Sequence, residues 1–471
     1  MTGADAIAPD RDPAHRARVL IVGAGLTGSL LACLLGEAGW EVELIERRPD
    51  PRIGPLQGGR SINLAISARG LQALRRAGLE DAVLAQAVRM PGRIIHDRAG
   101  HTQFQPYSAN GTNAINSINR AVLNRLLVER AAACASVRLS FDERCVAVDV
   151  NRPNATFRHE STGATRDVDA DLVVATDGAY SVIRDTMQKR EQFEYSQEWL
   201  HAGFKELTMM PAAAEGGAQA AGHGAHGHWR MDPNGLHIWP RGESMMIALA
   251  NAEGSFTCTL FWPHEGPHSF SALAGDAAIR ARFERDYPDA LALIPDAVEQ
   301  YRANPVGHMV TIKCEPWHVN GKVALLGDAA HAIVPFFGQG ANCGFEDCEA
   351  LADSLFECAG DWHAALDRYQ ELRKRHADAI ADLARQNFHE MAHHTATLRY
   401  KARKWIDHAM HRIMPRIWIP LYEMISFTTI PYDDARERAA RQWRWLGFGA
   451  GLLAGLAGLA IAAAYLLSRR G

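Results

Sequence analysis

The sequence predicts an α/β fold that ends in a transmembrane helix, and three observations predict it. "RVLIVGAGLTGSLLACLLGEAGWEVELIERR", from Arg18 to Arg48, reads as strand, glycine turn, helix and strand. Two later apolar strands each break on an acid beside a glycine: "ADLVVATDG" ends on Asp177-Gly178, and "KVALLGD" ends on Gly327-Asp328. Residues 446–467 then run for 22 positions without a charge.

Residues 1–16 carry no apolar core, and Asp5, Asp10 and Asp12 make them too acidic for a transit peptide, so a disordered leader is expected. Val19–Val22 is a buried strand, and Gly23, Gly25 and Gly28 open the following helix. Gly23 allows the tight turn, Gly25 lets the backbone approach a pyrophosphate, and Gly28 lets helix and strand come close. The helix N-terminus offers free N–H groups to the phosphates. The next strand ends on Glu46, 18 residues past Gly28, placed to accept ribose hydroxyls. An acid here suits FAD or NAD and repels the 2′-phosphate of NADP. No second fingerprint occurs, which favours a tightly held flavin visited briefly by a nicotinamide.

"GGRSINLAISARGLQALRRAGLEDAV" reads as a turn, a short strand and an amphipathic helix with Leu71, Leu74 and Leu79 on one face. "SINRAVLNRLLVERA" starts another helix, with Arg120 near its N-terminus, and a helix also follows Asp177-Gly178. Residues 361–440 repeat apolar positions at helical spacing. The uncharged 446–467 stretch reaches about 33 Å as a helix, enough for a hydrocarbon core of about 30 Å. It is flanked by Arg441, Arg444, Arg469 and Arg470, with Trp443, Trp445 and Tyr465 where interfacial aromatics belong. A tail anchor is therefore expected. Without a signal peptide the large domain lies in the cytoplasm, and the Arg- and Ala-rich composition favours a bacterial inner membrane over a mitochondrial outer membrane.

A chain of 471 residues, 47% apolar and 22% charged, is large enough for two lobes, and a net charge of -4 argues against nucleic acid. Eight scattered cysteines without a C-x-x-C pair argue for reduced thiols and against a zinc site. The "EGGAQAAGHGAHGH" insertion, with His223, His226 and His228, reads as a solvated loop, so no metal is expected.

The glycine fingerprint, the Asp-Gly motif from Asp177 to Arg184 and the "GDAAH" motif from Gly327 to His331 together resemble the FAD-dependent flavoprotein aromatic hydroxylases. Within that class, "GRSINLAIS", "FEYSQEWLHAGFKELTM", "HIWPRGESMMIALANAEGSFTCTLFWP", "GDAAHAIVPFFGQGANCGFEDC" and "IPLYEMISF" resemble the kynurenine 3-monooxygenase family, from about residue 17 to the tail. The resemblance implies a Rossmann-like FAD-binding lobe over 17–80, 110–190 and 315–355. It is interleaved with an antiparallel β-sheet substrate lobe over 81–109 and 191–314. A helical region over 356–440 then leads to the anchor.

The resemblance also implies the ligands. FAD would lie against Gly23, Gly25, Thr27, Gly28, Glu46, Arg47, Ala65, Arg120, Asp177, Gly178, Asp328, Gly340, Ala341 and Asn342. Arg93, Tyr107, Asn387 and Tyr422 would hold the substrate carboxylate, with Phe261, Pro335 and Phe336 forming the ring slot. Ala341 departs from the Met more usual in that family. The implied reaction takes L-kynurenine, NADPH and O2 to 3-hydroxy-L-kynurenine through a C4a-hydroperoxyflavin, and no residue is assigned as acid or base. Two other readings stay open. One is a membrane-bound flavin oxidoreductase of a lipidic substrate, which a converging carboxylate clamp would count against. The other is a non-catalytic flavin redox sensor, which an open cavity beside the ring and substrate-stimulated NADPH oxidation would count against.

Overall fold

The computed structural model describes residues 17–54, 63–108, 111–212, 228–358, 360–389 and 398–448. The chain divides into two compact units between residues 395 and 396.

A six-stranded sheet organises the first unit. Its strand order is His318–Val319, Val323–Leu325, Leu172–Ala175, Arg18–Val22, Glu41–Ile45 and Val137–Ser140. All neighbours run parallel except the first pair. The central strands are apolar throughout because both faces are covered: Val19, Leu20 and Ile21, and Leu172 to Ala175, are fully buried. Helix Leu26–Glu37 covers one side and buries Leu30, Leu31 and Leu35. Val22 pairs with both Ala175 and Ile45, and Ala175 pairs with Leu325. This register brings Gly23, Glu46, Thr176 and Leu326 together at the carboxyl ends of the parallel strands, where open α/β sheets bind their ligands.

The second layer is a seven-stranded sheet in the order Gly307–Glu315, Glu194–Met209, Phe256–Pro263, Ser244–Ala250, Leu236–Arg241, Gly92–His96 and Thr102–Pro106. The expected antiparallel sheet needs one correction, because Leu236–Arg241 runs parallel to Gly92–His96. Strands from two distant segments meet there, so no hairpin forces the pair to be antiparallel. One face holds Leu207, Trp239, Met246, Leu260 and Trp262 against helices Asp276–Asp286, Pro288–Leu291 and Ala297–Ala303. The other face carries the alternate residues of the same strands. A buried polar seam ties this sheet to the three-stranded sheet Leu64–Ile66, Ile115–Ile118 and Val88–Met90. In it Asn63 Nδ2 donates to Asn251 Oδ1 at 2.7 Å, and Thr257 Oγ1 donates to Asn63 Oδ1 at 3.0 Å.

Helix Ala68–Arg76 buries Leu74, whereas Leu79 lies beyond its end, at the start of helix Glu80–Ala85. All eight cysteines are free thiols. The first unit closes with helices Gly340–Glu357 and Trp362–His389. The second unit contains helices Leu398–Ile413 and Leu421–Phe427, and residues 432–448 are helical.

The transmembrane expectation is corrected. Among the described residues no helix is long and apolar enough to cross a membrane. Of the uncharged stretch 446–467, residues 449–467 lie outside the described residues. An uncharged run rich in Gly and Ala reads as membrane-compatible from composition alone. The anchor, and the membrane location drawn from it, are withdrawn.

Candidate active site

The carboxyl ends of the parallel strands form a cradle. Gly23 has φ +106°, its N–H donates to the Ile45 carbonyl at 2.7 Å, and a Cβ there would sit 2.6 Å from the Thr176 carbonyl oxygen. A Cβ on Gly28 would overlap the Gly23 carbonyl oxygen, whereas one on Gly25 would meet nothing within 4 Å. The loop is therefore closed on its protein side and open at Gly25 toward a ligand. Thr27 fills the gap between Gly327 and Gly344, with its hydroxyl 3.0 Å and 2.9 Å from where their Cβ atoms would stand. Buried Glu46 accepts the backbone N–H of Ala24 at 2.9 Å and of Arg48 at 3.0 Å, so it braces the fingerprint loop while keeping free lone pairs. Arg47 and Arg120 are exposed.

Two acids face this cradle. Asp177 Oδ2 accepts the Val182 N–H at 2.9 Å, while its Oδ1 is buried without a hydrogen-bond partner. Burial pushes the Asp177 carboxyl up, against Ser181 and the surrounding N–H groups. Gly178 turns beside it at φ +86°. Asp328 is open to solvent although Gly327, Ala329 and Ala330 beside it are buried. The surrounding protein raises its carboxyl, while Arg120 and His331 pull it down. The far wall is the first turn of helix Gly340–Glu357, with Gly340 and Ala341 half-buried. Asn342 fastens this turn: its Nδ2 donates to the carbonyls of Ala65 and Gly338, both at 2.9 Å, and its Oδ1 accepts the Ser67 N–H at 3.0 Å.

Beneath that turn, fully buried Asp347 is gripped by His331 Nε2 at 2.5 Å and by Arg373 Nε at 2.7 Å. Burial alone raises the Asp347 carboxyl, but the two partners prevail and hold it below the usual range. Cys343 lies within ligand distance of this pair, but the Arg373 guanidinium occupies the space, so the cluster is an ion-pair knot.

The seven-stranded sheet turns its second face toward the loop Ile333–Phe337. Phe261 meets Phe336 with ring centroids 5.2 Å apart, and Phe336 meets Phe388 at 4.6 Å. Pro335 opens the short turn that presents Phe336, and Asn387 Nδ2 donates to the Phe336 carbonyl at 2.7 Å. At the sheet's other edge the Arg93 guanidinium lies 5.5 Å from the Tyr107 ring centroid. Arg93 shares its face with Ile238, Ile247, Leu249 and Phe261, because cross-strand partners point to one side. Tyr422 belongs to helix Leu421–Phe427 of the second unit. Of the histidine-rich insertion, His223 and His226 lie outside the described residues, and His228 stacks on Trp229 at 4.1 Å.

Sequence reasoning missed Ile238, Ile247, Leu249, Thr259 and Glu206 on this face. Their alternation is written in "FEYSQEWLHAGFKELTM" for Glu206 and in "HIWPRGESMMIALANAEGSFTCTLFWP" for the others, but only the register says which alternate set faces the cradle. A separate cavity of about 630 Å³ is lined by Lys205, Asp276, Tyr301 and Arg302 on the opposite side of the sheet, and none of the glycine motifs reaches it.

Residues 16–384 match the family model described as FAD binding domain. The chain is 46% identical to the kynurenine 3-monooxygenase of Myxococcus xanthus, over 91% of this chain and 89% of that protein. The kynurenine 3-monooxygenase of Salinispora tropica is 43% identical, over 97% and 98%. This chain belongs to the kynurenine 3-monooxygenase family. Membership makes it an FAD-dependent flavoprotein aromatic monooxygenase. The tetrameric 2-methyl-3-hydroxypyridine-5-carboxylic acid oxygenase superposes with a TM-score of 0.63 at 23% identity, covering 81% of this chain and 94% of that one, which shows the shared mixed α/β fold. The residues present fit FAD. The loop is open at Gly25, a buried Asp177 oxygen awaits a donor, and the Asp328 carboxylate is exposed between buried neighbours.

Proposed function

We propose that the protein hydroxylates L-kynurenine to 3-hydroxy-L-kynurenine, consuming NADPH, a proton and O2 and releasing NADP+ and water. One observation carries the substrate reading: a single sheet face bears Arg93, set against Tyr107, near one edge and Phe261, set against Phe336, toward the other. An amino acid with an aryl side chain needs that combination of a cation and an apolar slot.

FAD, held in the cradle lined by Gly25, Glu46, Asp177 and Asp328, would supply the hydride-accepting and oxygen-transferring chemistry. The chain's own residues position and enclose. Gly23, Gly25 and Gly28 admit the pyrophosphate, with Thr27 and Arg47 beside it. Glu46 meets the adenosine ribose, and Asp328 and Arg120 face the ribityl and phosphate end. Asp177, Gly178, Ala65, Gly340, Ala341 and Asn342 border the ring end of the cradle. Arg93 grips the substrate carboxylate through charge-assisted bonds, and Tyr107 and Asn387 fix its angle. Phe261, Pro335 and Phe336 hold the aryl ring and exclude water. The ring amino group activates the ortho carbon by electron donation, so no strong protein base is required.

The test follows NADPH consumption by FAD-loaded protein with and without L-kynurenine, with product analysed by mass. Faster oxidation together with a product one oxygen heavier supports the reading. An unchanged rate with kynurenine ends it and moves a different aromatic substrate to the front.

A further inference from the structure

Two buried polar side chains on the cradle-facing side of the sheet find no partner in the protein. Glu206, on strand Glu194–Met209, pairs directly with Thr259 on strand Phe256–Pro263, and Thr259 pairs with Ile247. The row continues to Ile238 and Ile95. Glu206 Oε1 and Thr259 Oγ1 are both buried without a hydrogen-bond partner, and the residues are 8% and 0% exposed. Directly opposite pairs hold their Cβ atoms about 5 Å apart, so the two side chains are neighbours.

Their face is fixed independently. Phe204 and Phe261, each two residues away on the same strands, pair with one another, and Phe261 touches Phe336. Ile247, the other neighbour of Thr259, packs in the same cluster as Phe336 and Phe337. The oxygens therefore border the ring slot and not the helices behind the sheet. Lys205, the next residue, points to that opposite side, where its ammonium donates to the carbonyls of Tyr301 and Asn304 at 2.5 Å each. Arg120 is the charged group whose field reaches Glu206, and it reaches Asp328 as well.

A buried carboxyl and hydroxyl without partners are costly unless a ligand supplies the missing bonds. Burial lifts the Glu206 carboxyl to about 7, against the pull of Arg120, so near neutrality much of it is an O–H donor that keeps a carbonyl acceptor. That pattern complements a group offering one acceptor and one donor side by side.

We propose that Glu206 and Thr259 form a polar subsite that reads the ortho-amino ketone edge of an aryl substrate seated on Phe261. The inference rests on the kynurenine reading and deepens it: Arg93 selects the amino-acid end, and the Glu206–Thr259 pair selects the ring substitution.

The test measures dissociation constants on FAD-loaded protein by flavin absorbance. The two ligands are L-kynurenine and its analogue lacking the ring amino group, each at about pH 6 and about pH 8. The parent protein should prefer kynurenine by about 10-fold or more, and the preference should fall as pH rises through about 7 and the carboxyl ionises. Glu206→Gln, with one donor and one acceptor, should keep the preference and lose its pH dependence. Glu206→Leu and Thr259→Val should each reduce the preference at least threefold while binding the amine-free analogue as the parent does. If both of those variants discriminate like the parent, the subsite is overturned although the substrate reading stands. If the parent binds neither ligand, the substrate reading fails first and the subsite with it. Should Glu206→Leu not retain FAD, the nearly isosteric Thr259→Val decides alone.

Discussion

Asp347→Asn is expected to loosen the flavin end of the molecule through the ion-pair knot. The carboxylate is fully buried and accepts from His331 Nε2 at 2.5 Å and Arg373 Nε at 2.7 Å. An amide offers one good acceptor and places an NH2 against a donor. Arg373, 8% exposed, is then left with Glu346 at 3.1 Å, which is already shared with Arg69 at 2.7 Å. Breaking one partner of a buried ion pair costs about 3–5 kcal/mol, a large part of a typical total of about 5–15 kcal/mol. The assay is urea unfolding of the FAD-loaded protein, followed by circular dichroism and flavin fluorescence together. His331 ends the turn that carries Asp328, so the flavin signal should move with the fold. Asp347→Asn with Arg373→Met should recover part of the loss, because the stranded cation is gone. A shift under about 1 kcal/mol, or a double variant no better than the single, would refute the reasoning. The pH sign follows from the depressed carboxyl. The knot's contribution is present above the unfolded value of about 3.9 and is lost as pH falls toward the lower folded value, so the variant should lack that acid limb.

Four further outcomes are expected. Gly28→Ala should abolish FAD retention, read as the flavin-to-protein absorbance ratio, because its Cβ meets backbone; Gly25→Ala, which meets only open space, should weaken FAD binding without lowering the apoprotein's unfolding midpoint. Arg93→Met should raise the kynurenine dissociation constant about 10-fold to 100-fold with FAD retention unchanged, and Arg93→Lys should fall between, since a point charge replaces a fork. Phe261→Ala, at a side chain 2% exposed, should cost about 3–5 kcal/mol in urea unfolding and release more hydrogen peroxide per NADPH. Burial pulls His237 down to about 4, so it stays neutral in the fold while the unfolded chain takes up a proton near 6.5. Stability should therefore decline as pH falls from about 6.5 to about 4, by up to about 3 kcal/mol, and His237→Gln should flatten that slope.

What the sequence made legible is local. The fingerprint needs only a strand, three glycines and a helix in order, and each glycine has a steric reason visible in its surroundings. The acids at Asp177 and Asp328 were legible because an apolar strand that stops on an acid beside a glycine is unusual. The sheet face was not. Which alternate residues of 236–263 look toward the cradle depends on pairing across up to 143 positions, as in Ile238 with Ile95 and Thr259 with Glu206. Glu46 shows a finer limit: its position was readable, but its bonds to the Ala24 and Arg48 amides were not, since they depend on a side-chain rotamer. The 446–467 stretch shows the opposite error, in which composition suggested a membrane span.

The parallel six-stranded sheet also dictates when the cofactor can be captured during synthesis. Strand Arg18–Val22 leaves the ribosome early, yet one of its parallel neighbours is Leu172–Ala175, whose own far neighbour is Val323–Leu325. The nascent chain must carry Val19 to Val22 with one unfilled hydrogen-bonding edge for about 150 residues, and Leu172 to Ala175 with another for about 150 more. Asp328 and the Gly340 turn arrive only after that, so flavin joins as the closing ligand of folding and not as its seed. Until those strands are made the chain is an open-edged intermediate, exposed to chaperones and proteases.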